Sequence, residues 1–138
     1  MQSRIIYSLF VCLAVLVYGC GKADTNSKAL TGTVTLGGKP LEKGSISFIP
    51  KDGNAVTVGA KIVNGSYSAT VPLGEKRIEI RAPKVTGQKL AYEGDPNSPK
   101  IDIVTELIPA RYNNQSELSF SVDAKAAKAD FTLEPQAE

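Results

Sequence analysis

Histidine and tryptophan are absent from this 138-residue chain, methionine occurs only at position 1, and both cysteines, Cys12 and Cys20, fall within the first 20 residues. Without histidine there is no Ser-His-Asp arrangement, no imidazole base poised near neutral pH and no histidine-ligated transition metal. Beyond Cys20 there is no thiol, which removes cysteine nucleophiles and intramolecular disulfides from the rest of the chain. The usual catalytic groups being missing, the chain is expected not to be an enzyme and to need no cofactor or metal. Long apolar runs are scarce too: the single one covers residues 5–18, short of the roughly 20 that a spanning helix requires. Charge is balanced, with 16 Lys and Arg against 14 Asp and Glu, so no clustered basic face points to nucleic acid.

What is present at the start is ordered like an export signal. Arg4 supplies the positive end, residues 5–18 are uncharged and mostly apolar, and small Gly19 precedes Cys20. Val17-Tyr18-Gly19-Cys20 resembles a bacterial lipobox, although Tyr18 is larger than the residue that pattern usually carries there. The resemblance implies a diacylglycerol on the Cys20 sulfur, acyl chains such as palmitate, and cleavage just before Cys20. An uncleaved signal anchor is the alternative. Two or three acyl chains hold a protein firmly, at about 0.8 kcal/mol for each buried CH₂. Gly21 follows the cysteine where an Asp would resemble the inner-membrane retention signal of enterobacterial lipoproteins, and by that resemblance an outer membrane is favoured over the periplasmic face of the inner membrane. Processing at 1–19 leaves 119 residues with 15 basic and 14 acidic side chains, one domain's worth of chain.

Residues 20–29 are expected to be the lipidated cysteine and a flexible polar tether. From Leu30 the apolar pattern takes a period of two. Strands are predicted over 30–36, 45–49, 56–63, 66–71, 76–82, 117–122 and 129–133. Gly37-Gly38-Lys39-Pro40 and Asn64-Gly65 supply the turn chemistry between them, the latter being the strongest hairpin signal in the chain. Side chains expected inward include Leu30, Val34, Ile46, Phe48, Ile62, Tyr67, Val71, Ile78, Ile80, Leu118, Phe120, Val122, Phe131 and Leu133. Lys76, Arg77 and Arg81, interleaved with Glu75 and Glu79, read as a solvated strand face with cross-strand ion pairs. Residues 84–107, interrupted by Gly87, Gly94, Pro96 and Pro99, read as a long connection, extended only at 101–104. Seven short strands without an amphipathic helix predict an all-β fold, a single antiparallel seven-stranded β-sandwich over 30–134 with a tail at 135–138.

Gly32-Thr33-Val34-Thr35-Leu36-Gly37-Gly38-Lys39-Pro40-Leu41, followed by Gly44-Ser45-Ile46-Ser47-Phe48-Ile49-Pro50, resembles the opening of carboxypeptidase regulatory-like, or transthyretin-like, β-sandwich domains. Asn64-Gly65-Ser66-Tyr67 is similar to that family's hairpin, and residues 108–113 with 130–133 to the closing half of small bacterial lipoproteins that carry the domain. The resemblance implies a prealbumin-like sandwich serving as an accessory, structural or interaction module. One enzymatic branch hydrolyses a urate-derived ring with histidines, which this chain lacks.

Two readings of function result. The first is a lipid-anchored protein of the bacterial cell envelope, a non-catalytic structural or protein-interaction module meeting the membrane through Cys20 and an envelope protein or glycan as partner. The second is a small-ligand or carbohydrate-binding lipoprotein whose binding edge is the 84–107 loop, with Lys89, Tyr92, Glu93 and Asp95 as its contact residues. Of the two roles open to Tyr92, pinning the loop onto the sandwich is preferred to presenting a contact aromatic. Asp52-Gly53-Asn54 and Asp95-Pro96-Asn97-Ser98 carry oxygen-bearing side chains, but too few for calcium, and read as plain turns.

Overall fold

The computed structural model describes residues 26–136. It contains ten strands: β1 (Ser27–Leu36), β2 (Lys39–Pro40), β3 (Lys43–Pro50), β4 (Val58–Val63), β5 (Ser66–Pro72), β6 (Gly74–Arg81), β7 (Pro83–Leu90), β8 (Lys100–Glu106), β9 (Ser119–Val122) and β10 (Phe131–Leu133). A single 3-10 turn, Ala110–Tyr112, is the only helical segment among the described residues. On β1, Leu30 and Val34 are fully buried while Thr31, Thr33 and Thr35 face outward, as a half-buried strand requires. The tight turns work by backbone conformation: Asn64 and Gly65 take φ 50 and 77, which suits the two-residue hairpin joining β4 to β5.

Strand order along the main sheet is β10-β1-β5-β4-β3-β6-β9, with β2 folded back on β1. The seven strands on this path are those predicted from periodicity. β4 and β5 pair only at Val63 and Ser66; beyond that turn β4 stays with β3 while β5 runs with β1. The sheet therefore bends sharply at this hairpin and curls over its own apolar face. Its two ends meet across the core, where the rings of Phe120 on β9 and Phe131 on β10 stack edge-on at 6.4 Å. Phe48 and Tyr67 approach at 5.9 Å in the same interior. The core holds Leu30, Val34, Ile46, Phe48, Ile62, Val71, Ile78, Ile80 and Leu133, together with Leu41, Ala82, Ile108 and Ala129, which the alternation did not mark.

Four expectations need correction. Pairing is not wholly antiparallel, since β10 runs parallel to β1 with Val34 opposite Phe131. The expected tether is shorter, because Ser27, Lys28 and Ala29 already pair with Pro72, Val71 and Thr70. Lys76 is not solvated: it lies on the inward parity of β6 with Ile78 and Ile80, is 1% exposed, and its Nζ donates to the Leu73 carbonyl at 2.9 Å. Glu79 bridges Arg77 and Arg81 at 2.8 and 3.5 Å along its own strand, and Glu75 makes the expected pair across strands, with Lys51 at 3.5 Å. Finally, residues 83–106 are no loose connection. β7 and β8 form a separate two-stranded antiparallel sheet.

The registers fix two poles. Ser27 opposite Pro72, Gly74 opposite Val122 and Pro50 opposite Lys76 define the end at which the described chain begins. Leu36, Lys43 with Val63, Ser45 with Arg81, and Leu133 define the other, and the β7–β8 arm leaves from this far pole.

Candidate functional site

The arm is built from exposed backbone pairing rather than from a core. Partners run from Pro83 opposite Glu106 to Leu90 opposite Lys100, with a bulge between Val85 and Gly87. Thr86 sits in the bulge, and its hydroxyl lies 3.1 Å from that of Thr105. Across the hairpin Gln88 Nε2 donates to Asp102 at 2.9 Å. Every residue of β8 is exposed, Ile101 by 44%, Ile103 by 41% and Val104 by 57%. Of residues 83–106 only Ser98 is buried.

The root is tied down by Glu106, a residue sequence reading passed over. Its Oε1 accepts from the backbone N–H of Ala82 at 2.8 Å and of Ile108 at 2.9 Å, joining the points where the arm leaves and rejoins the body. The tip is held as well: Ala91 N–H donates to the Pro99 carbonyl, Tyr92 N–H to Ser98 Oγ and Asn97 N–H to Asp95 Oδ1.

Lys89, Tyr92, Glu93 and Asp95 are all exposed and cluster toward this tip, Lys89 opposite Ile101 on the hairpin and the others in the turn. Tyr92 is 68% exposed and does not pin the arm to the body, which corrects the preferred reading of it. The turn holds its backbone, through the bond to Ser98, while most of its side chain stays in solvent. Asp95, like Asp52, uses its carboxylate to close a local turn, on Asn97 and Asn54 respectively. Among the described residues no group of three or more His, Cys, Asp or Glu is placed to hold a metal ion.

Concavity lies instead at the arm's root, where a groove of about 630 Å³ runs between β2 and the arm. Leu36, Leu41, Val85 and Leu107 make its apolar floor; Lys39, Lys43 and Lys84 rim it, with Glu42 as the one carboxylate. None of these four charges is in an ion pair among the described residues. A second groove of about 450 Å³ shares Lys43 and Pro83 and adds Lys61.

Around the body, the titrating groups serve structure. Tyr67, buried and near the Asp130 charge, has its hydroxyl pushed far above the ordinary phenol range by burial first and by Asp130 second. Asp130 is held below the usual carboxylate range by its contact with Lys128 and by the side chain and N–H of Thr33. Tyr112 packs half-buried against the edge of the core: its hydroxyl accepts from Glu134 N–H, the Arg111 guanidinium lies 4.8 Å from its ring centre, and the Arg111 contact lowers its pKa. Cys20 and the signal-like stretch lie outside the described residues. Among the described residues no helix is long and apolar enough to cross a membrane.

No family model matches the chain, and no curated protein matches it. Among solved structures it is similar to part of a crystal structure of a 9R-lipoxygenase from Cyanothece PCC8801, at 13% identity and a TM-score of 0.34, over 79% of this chain and 16% of that one. The similar protein is named as an enzyme, and the expectation that this chain is none is withdrawn rather than reversed. A likeness this distant assigns no fold and no activity.

Proposed function

We propose that the chain is a lipid-anchored protein of the bacterial envelope, acting as a structural or interaction module whose contact element is the β7–β8 arm. The anchor rests on Val17-Tyr18-Gly19-Cys20 and the signal-like run before it. The body is read as a transthyretin-like sandwich, with β10-β1-β5 as one layer and β4-β3-β6-β9 as the other, split where β4 and β5 diverge. One observation carries the reading of the arm: it projects from the pole opposite Ser27, from which only six residues, 21–26, lead back to Cys20. Six residues reach at most about 20 Å, so the lipid holds one pole of the body and leaves the arm facing away. A hairpin that buries no core residue gains little stability for the body, which favours an outward role.

A second reading, a lipoprotein that binds a small ligand or carbohydrate through 84–107, is favoured by the exposed Tyr92 with Lys89, Glu93 and Asp95 around it. Cross-linking of the lipidated protein in intact cells separates the two. Under the first reading a stoichiometric protein partner is captured, and replacing 85–104 with Asn-Gly abolishes its capture. Glycan captured in its place supports the second, and capture unaffected by the replacement overturns both.

A further inference from the structure

β8 is a seven-residue strand whose outer edge is unpaired, and each of its residues is exposed. The arm's other edge is blunted: Pro83 lacks an N–H, the bulge at Val85 to Gly87 breaks the ladder, and Lys84 and Lys89 stand along it. β8 has no proline and no bulge, and its central stretch Ile101-Asp102-Ile103-Val104 is β-branched but for one residue. The free strands at the ends of the main sheet path are only four and three residues long. On its own a two-stranded hairpin is marginal in water, and a third strand is what stabilises it.

From these features we infer that the occupant of the β8 edge is β8 of a second copy of this chain. The pairing rests on the reading of the arm as a contact element and is independent of the lipid anchor. A twofold axis normal to two paired strands returns each side chain to its own face, so it permits only registers that set a residue opposite itself. Centring on Asp102 puts carboxylate against carboxylate, and centring on Val104 puts Asp102 against Glu106. A register centred on Ile101 joins Lys100 to Asp102 but soon runs into Pro99. Centred on Ile103, all seven residues pair, Ile101 meets Thr105, and Lys100 meets Glu106 at both ends.

That register suits the side chains already in place. Glu106 uses Oε1 for the arm's root, leaving Oε2 for Lys100 of the second copy. Asp102 is already engaged by Gln88 of its own hairpin. Gly87, opposite Ile103, offers no side chain to cover it, so Ile101 and Ile103 from both copies form one apolar strip along the two central strands of a four-stranded sheet.

The test uses the full chain in the membranes of a bacterial host. Mild oxidation of Ile103→Cys is expected to yield a disulfide-linked dimer at least about tenfold above Lys89→Cys and the unsubstituted chain, because a disulfide needs Cβ atoms within about 4.5 Å. Equal linking from positions 103 and 89, or none from 103, overturns the pairing. In detergent, sedimentation of the full chain should show Lys100→Glu loosening the dimer about tenfold while Lys84→Glu leaves it unchanged. A monomeric parent chain, or the same result from both reversals, likewise overturns it. If the dimer fails while replacement of 85–104 still abolishes partner capture, the contact role of the arm stands without it.

Discussion

The Tyr67 hydroxyl donates a 2.6 Å hydrogen bond to the Ala129 carbonyl across 62 residues of sequence, directly over Gly32. Gly32 is the cross-strand partner of Tyr67, and a Cβ built there would lie 1.8 Å from that same carbonyl oxygen. The absent side chain is what lets the Ala129 backbone come down onto β1. Gly32→Ala should therefore cost about 3 kcal/mol or more, as overpacking against fixed backbone does. Tyr67→Phe should cost less, about 1–3 kcal/mol, for the buried carbonyl left without its donor. Urea titration of the two variants checks the order.

Alkaline pH should unfold the protein through the same residue. The Tyr67 pKa in the folded state lies above its ordinary value of 10.0, so the folded form holds this proton more tightly than the unfolded chain. The associated stability is complete below pH 10 and declines as pH rises beyond it. Thermal melts across that range should show a falling Tm in the parent chain and a flatter limb in Tyr67→Phe.

Acid should act oppositely, at Asp130. Its folded pKa is depressed below 3.8 by Lys128 and Thr33, so its contribution is present above that value and disappears as pH falls through the folded pKa. Asp130→Asn should flatten the acid limb of the Tm profile and, by removing the smaller of the two causes that raise Tyr67, soften the alkaline limb slightly. An unchanged acid limb would remove Asp130 from the account.

Lys76 offers a test of packing against charge. Its side chain fills space beside Phe120, its partner on β9, and bonds only to the Leu73 carbonyl. Lys76→Met keeps the volume and removes a buried charge, whereas Lys76→Ala leaves a cavity. The alanine variant should be less stable than the methionine variant by about 2 kcal/mol or more, by denaturant titration.

Replacing residues 85–104 with Asn-Gly should leave the body folded. The excised piece contains no residue of the hydrophobic core, and Glu106 remains to join Ala82 and Ile108. Tm is expected to stay within about 5 °C of the parent, corresponding to roughly 1 kcal/mol. A larger drop would make the arm part of the scaffold.

Alternation made the body legible because each strand has one wet and one dry face. Leu30 and Val34, Ile46 and Phe48, Ile78 and Ile80 all sit inward as their spacing requires. The same parity places Lys76 inward, and its charge concealed it. Most of the arm escaped reading for the opposite reason: β7 and β8 have no dry face, so outside 101–104 their side chains carry no period, and Gly87 with Pro96 and Pro99 looked like loop punctuation. Ser27 to Ala29 are held by ladder bonds that polar residues make as readily as apolar ones. Nothing local to 129–133 sets its direction, since the parallel pairing with β1 depends on a contact nearly the whole body away. Of the candidate contact residues, Tyr92 was visible as an isolated aromatic, while Glu106 resembled any other surface carboxylate.

The parallel seam between β1 and β10 also sets a clock. Val34 and Phe131 are partners separated by 97 residues, and Thr33 waits on Asp130 over the same interval. Such distant closures form slowly, since the loop entropy is spent before the contact stabilises anything. As the polypeptide emerges, β1 can gain β5 early, but its other edge stays open until Leu133 has been made. A newly synthesised chain therefore remains incompletely closed until the final strand arrives, and on the proposed lipid-anchored reading that delay is the interval in which it could still be threaded across a membrane.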